Sequence, residues 1–143
     1  MAHQPMLKMR FSHPGACGIL AAMTMTTRNG SPRTFVPRTP GVEICVLRLH
    51  ADRGLTFLVR MARGARAERH NHPGGEETYV LLGKVRIDRR IAADGRALPD
   101  VVLVPGSHLF AEPGEVHEGE AEEDTEFLVF APGGIAKTPA MSG

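Results

Sequence analysis

His70, His72 and Glu76 lie within seven residues, two imidazoles and a carboxylate with only Asn71 and Pro73-Gly74-Gly75 between them. In an extended strand alternate side chains share a face, so His70 and His72 point one way and Asn71 the other. Pro73-Gly74-Gly75 reads as a tight turn, proline setting φ and glycine supplying conformations that other residues resist. That turn reverses the chain within one hairpin and returns Glu76 toward the imidazoles. Mixed nitrogen and oxygen donors suit Zn, Fe, Mn, Ni or Cu without selecting among them. An ion held this way with a free position could bind water, polarise a carbonyl or, as iron, bind dioxygen. The competing reading makes both histidines ordinary residues of a polar strand.

The elements that must position these groups are strands. Val42 to Leu47 is rich in β-branched and apolar residues, and Leu55, Phe57, Val59 and Met61 alternate with Thr56, Leu58 and Arg60. Thr78 to Leu82, Val85 to Ile91, Val101 to Val104, Ser107 to Ala111 and Thr125 to Ala131 continue the pattern, with a hairpin turn at Asp94-Gly95. No segment sustains a helical period. Many short strands punctuated by glycine and proline imply an all-β sandwich or closed barrel.

The stretch from Gly64 to Gly83 resembles the first motif of the cupin superfamily, G-x5-H-x-H-x3-E-x6-G, met at Gly64, His70, His72, Glu76 and Gly83. A worn second motif runs from Gly106 to Ala121: Gly106, Gly114 and His117 fit, Glu112 stands where proline belongs, and Ala121 replaces an asparagine. The resemblance implies a double-stranded β-helix, or jelly roll, and one divalent transition metal ion (Fe, Zn, Mn or Ni) on His70, His72, Glu76 and His117. Glu76 is preferred to Glu77 because it alone keeps the spacing to Gly83, and His117 to His108 because it follows Pro113-Gly114 at the motif spacing. Across residues 34 to 131 the wording is similar to the cupin half of ChrR-type anti-sigma factors. It is also similar to short single-domain dioxygenases acting on acetylacetone or dihydroxyacetophenones.

The period-2 rule sorts the remaining pocket candidates. Thr78 and Val80 share the face of Glu76, and Phe57 and Val59 share the apolar face of their strand, so an apolar cavity suited to a small ketone or diketone is expected. His108 is a further lining candidate. Glu77, Tyr79, His108 and Arg60 are acid–base candidates by proximity alone. Three functions follow: a metal-dependent enzyme of the dioxygenase kind, a sensory or regulatory module of the ChrR type, or a ligand-binding or structural cupin.

The chain has 143 residues and 42% hydrophobic content, the size class of one domain with a real core. Seventeen basic against 16 acidic residues leave a net charge of +1, which excludes a global field for nucleic acid or an anionic membrane. Arginines crowd the middle of the chain and half of the acids fall between Glu112 and Glu126. They read either as cross-strand pairs or as a patch for an anionic ligand. No apolar run approaches the ~20 residues of a membrane span and no signal-peptide order is present, so a cytoplasmic location is expected. Cys17 and Cys45 are too few for a disulfide framework. Residues 1–33 lack periodicity and read as an arm, partly disordered or packed on a partner subunit, with 34–143 as the cupin domain and Met23 and Met25 as alternative starts. Leu128 and Phe130 lie opposite Phe127 and Val129, and Tyr79 and Leu81 opposite Val80 and Leu82. Strands apolar on both faces point to a homodimer.

Overall fold

The computed structural model describes residues 32–137, and the readings placed on residues 1–31 lie outside them. Eleven strands form two antiparallel sheets among the described residues. In chain order they are β1 (Val36–Thr39), β2 (Val42–Leu49), β3 (Leu55–Met61), β4 (Arg66–Asn71), β5 (Glu76–Leu82), β6 (Val85–Ile91), β7 (Val101–Leu103), β8 (His108–Ala111), β9 (Val116–Ala121), β10 (Thr125–Ala131) and β11 (Ala136–Lys137). One sheet runs β1-β2-β3-β10-β5-β8 and the other β11-β4-β9-β6-β7, the two layers of a jelly-roll barrel.

Alternation explains how the core forms. In the six-stranded sheet Ile44, Val59, Phe127 and Val80 stand in one cross-strand row and Val46, Phe57, Val129 and Thr78 in the next. Apart from half-buried Val46 these are buried. Val85, Ile87, Leu103 and Ala121 of the opposite sheet complete the core. Neighbouring rows on one face interlock, and each fully buried aliphatic or aromatic side chain stabilises the fold by about 1.5–3 kcal/mol relative to exposure. Asp94-Gly95 does lie in the turn of the β6–β7 hairpin, where Gly95 takes a φ of +86°.

One expectation is corrected. The turn at Pro73-Gly74-Gly75 does not close a hairpin: β4 pairs with β9 and β11, whereas β5 pairs with β10 and β8. The chain turns a corner there and passes from one sheet to the other. Gly75 N–H donates to His72 O at 2.9 Å, and Gly74 lies so close to Gly133 that a Cβ on Gly74 would stand 2.6 Å from the Gly133 nitrogen. Sequence spacing measures chain reversal but not strand pairing, which is why the two outcomes look alike before the sheets assemble.

Of the crowded arginines, Arg60, Arg66, Arg86 and Arg89 form cross-strand pairs. Arg66 reaches Asp88, Glu118 and Glu120, Arg86 reaches Glu120, and Arg89 reaches Glu118. Arg60 bonds Glu126 at 2.8 Å and stacks 3.8 Å over Phe35, on the outside of the barrel. No described helix is long and apolar enough to cross a membrane.

Candidate metal centre

Four groups converge inside the barrel. Ligand atoms of His70, His72, Glu76 and His117 all lie within 4.8 Å of one another. His70 and His117 face each other across the β4–β9 ladder, and ring centroids are 4.8 Å apart for that pair, 4.9 Å for His70 and His72, and 5.6 Å for His72 and His117. His72 is the first residue after β4, and Glu76 opens β5 in the other sheet, so the corner between sheets is what sets the carboxylate against the imidazoles.

Each ring is oriented by an acceptor behind it. His70 Nδ1 donates to Glu68 O at 2.6 Å and His72 Nδ1 to Gly134 O at 3.2 Å; carbonyl oxygens only accept, so in both rings the proton sits on Nδ1. His117 Nδ1 meets the Glu115 carboxylate at 3.3 Å. The Nε2 atoms are thereby turned toward the centre. There the buried His72 Nε2 and Glu76 Oε2 lie in contact yet lack a hydrogen-bond partner. Buried polar atoms without partners are uncommon and costly, and two inward-facing electron-pair donors are what a cation satisfies. The residues therefore fit a divalent transition metal ion.

The electrostatics agree with that fit. Burial pushes the Glu76 carboxyl up, but the His117 and His72 imidazoles in contact with it outweigh that and hold the group well below the usual carboxylate range. Burial, then the neighbouring His117, lowers His70 to about 4. Burial also opposes charge on His117, but hydrogen bonds to Glu115 and Glu76 raise it to about 9. Two carboxylates against one imidazole favour positive charge between them, which a proton or a metal ion supplies.

The four donors open onto a cavity of about 730 Å³. Its apolar walls are Val42, Ile44, Leu55, Phe57, Val59 and Met61, with Phe127 and Val129 behind them, and the charged side chains of Arg38, Arg53, Glu68, Arg69, Glu118 and Lys137 line it as well. Phe57 and Val59 are thus where the alternation put them. The other three lining candidates are corrected. Val80 is fully buried in the core, and Thr78 stands behind Glu76, its hydroxyl donating to Glu76 Oε1. His108 is on the outer face, 53% exposed and 3.6 Å from Glu77. It directly opposes Tyr79 across the β5–β8 ladder, and Tyr79 already points away from the core. Sequence reasoning missed Glu115, Arg90, Gly133 and Gly134. A period-2 signal places Glu115 on the face of His117, two residues on, but its burial depends on a partner from another strand.

The match to known proteins decides the family. A family model described as the ChrR cupin-like domain matches residues 24–136. The chain belongs to that cupin family. It is 29% identical over 102 residues to the DNA damage-repair/toleration protein DRT102 of Arabidopsis thaliana, covering 68% of this chain and 29% of that protein. Oxalate decarboxylase of Bacillus subtilis superposes with a TM-score of 0.62 at 22% identity, over 73% of this cupin and 30% of that chain. KdgF from Halomonas sp. superposes with a TM-score of 0.54 at 22% identity, over 69% of this cupin and 86% of that chain. This cupin spans less than a third of the length of DRT102 and of the decarboxylase, and the structural likenesses establish the fold. In the worn second motif, Glu112 lies exposed at the turn into β9 and accepts from Glu115 N–H at 3.0 Å, and Ala121 is buried in the core.

Proposed function

We propose that this cupin is a metal-dependent enzyme of the dioxygenase kind acting on a small ketone or diketone. The observation that carries the reading is the placement of three imidazoles and one carboxylate at the wall of a cavity lined largely by apolar side chains. His70, His72, Glu76 and His117 would hold the ion, which when bound supplies Lewis-acid chemistry and, as iron, a site for dioxygen. Thr78 holds the Glu76 carboxylate from behind, and Glu68 O, Gly134 O and Glu115 keep the three rings aimed inward. The apolar side chains that make up most of the lining disfavour a hydroxyl-rich ligand such as a sugar, since each polar group buried without a partner costs about 1–3 kcal/mol. Arg38, Arg53, Arg69 and Lys137 line the same cavity and make the anionic ligands the stringent arm of the test. Titration of the metal-loaded protein with acetylacetone, a hydroxyacetophenone, a sugar phosphate and a dicarboxylate is expected to give binding to the first two. Tight binding of either of the last two, with none of the first, would refute the apolar-ligand reading.

A second reading is favoured by one observation. The acid–base candidates Glu77, Tyr79, His108 and Arg60 all lie on exposed positions outside the cavity, which suits a sensory module that binds its ligand without turnover. Oxygen uptake by the iron form in the presence of a bound diketone separates the two. Uptake supports the enzyme; binding with no uptake supports the sensor.

We also infer a homodimer. Tyr79, Leu81, Phe110 and Phe130 are exposed on the outer face of the six-stranded sheet, and exposed apolar clusters of this kind mark interaction surfaces. Light scattering should report twice the chain mass, and replacing Leu81 and Phe130 together with glutamate should return a monomer. A monomeric wild-type mass removes the inference.

A further inference from the structure

A buried ion pair stands directly behind one of the four donors. Glu115 is 2% exposed and Arg90 10% exposed, and they meet through two parallel bonds, Nε to Oε1 at 2.7 Å and Nη2 to Oε2 at 3.1 Å. Glu115 Oε1 also receives His117 Nδ1 at 3.3 Å, and the third guanidinium nitrogen donates to Pro99 O at 3.0 Å. The strand geometry that makes this possible is irregular. In the β6–β9 ladder Asp88 pairs with Glu118 and Ile91 with Val116, so Arg89 and Arg90 together oppose His117 alone. That is a β-bulge, and its first residue, Arg89, takes a left-handed φ of 51°. A bulge inserts one residue and re-aims the next side chain. Arg89 stays outside on Glu118, and Arg90 turns to Glu115.

We propose that Glu115 is the positioning residue of His117 and that the β6 bulge exists to deliver Arg90 as its clamp. An isolated buried carboxylate is free to rotate or to draw in water; bidentate pairing with a planar guanidinium fixes its plane. The fixed carboxylate holds the His117 ring in one rotation with Nε2 toward the other three donors. A buried ion pair is a weak source of stability against an apolar substitute, so its retention here is accounted for by what it orients. The inference rests on the metal reading of the four donors and adds to it a residue outside that set.

The test compares wild type with Glu115→Gln, Arg90→Met, the double variant and Arg89→Gly, using Co(II) affinity by competition with a chromophoric chelator and the visible Co(II) absorption band. Glu115→Gln is expected to weaken affinity about 10- to 100-fold and to shift the band, the range for loss of an orienting partner. The double variant removes both charges together and keeps the fold accessible even where Arg90→Met alone leaves an unpaired buried carboxylate. Its affinity should match Glu115→Gln rather than multiply the losses, because Arg90 acts through Glu115. Arg89→Gly, which suits the left-handed position, should bind cobalt like wild type. Wild-type affinity and an unshifted band in Glu115→Gln, whatever its melting temperature, overturn the proposal. Additive losses in the double variant overturn the clamp. If wild type binds no cobalt, the metal reading fails and this inference with it.

Discussion

Replacing His72 with alanine should abolish stoichiometric metal binding, the largest effect expected of any single substitution in the cavity. His72 is 2% exposed, its Nδ1 is committed to Gly134 O, and its Nε2 has no acceptor or donor other than what the site holds. A water that fills the gap replaces a fixed donor with a mobile one. Metal analysis of protein purified without chelator should fall from one ion per chain to near zero, and full retention would remove the metal reading. The same ion stabilises the fold by binding only the native state. At a thousandfold excess over Kd the stabilisation is about 4 kcal/mol, so a chelator should lower the wild-type Tm by roughly 10 °C and leave His72→Ala unmoved. The sign of the pH dependence follows from His117. With its pKa raised to about 9, it carries a proton at neutral pH that the ion must displace, so affinity rises with pH. Between roughly pH 7 and 8.5 the rise should be about tenfold per pH unit, one proton released per ion bound.

Gly83→Ala should be the most damaging change away from the cavity. Gly83 has a φ of +77°, and a Cβ there would stand 2.0 Å from Asp124 O and 2.6 Å from Thr125 Cα. Both are backbone atoms, at the turn from β9 into β10, and that turn is itself tied back by Thr125 Oγ1 donating to Leu82 O at 2.8 Å. Neither wall can yield by rotating a side chain. Gly95 provides the comparison, since its φ of +86° is as unfavourable for alanine but nothing lies within 4 Å of its Cβ position. Gly95→Ala should cost about 1 kcal/mol, the conformational part alone. Gly83→Ala should cost about 3 kcal/mol or more, which denaturant unfolding resolves easily. Equal losses in the two variants would show that the Gly83 contact contributes nothing beyond backbone conformation.

That contrast marks the division between what the chain carries locally and what assembly adds. Both glycines look alike as turn residues, and only the packing of the β5–β6 turn on the β9–β10 turn separates them. Strand existence was legible because alternation is a property of neighbours: Leu55, Phe57, Val59 and Met61 declare one buried face whatever they pair with. The set His70, His72, Glu76 and His117 was legible because its members fall at motif spacings, and the apolar wall was legible through Phe57 and Val59. Which sheet each strand joins was not, so the Pro73-Gly74-Gly75 corner read as a hairpin until β4 and β5 were seen to pair with different neighbours. His108 misled for the same reason, because its face follows from its register against Tyr79 and not from its distance to Gly106 along the chain. Arg90 is the clearest case. Strict alternation from Val85 and Ile87 assigns it to the polar outer face, and one extra residue at Arg89 turns it inward. A bulge shifts register against a strand some thirty residues away, and no local period records such a shift. The donors were therefore written in the sequence, while the carboxylate that holds His117, the carbonyl that holds His72 and the wall behind Gly83 were decided by contacts between segments that only the closed barrel brings together.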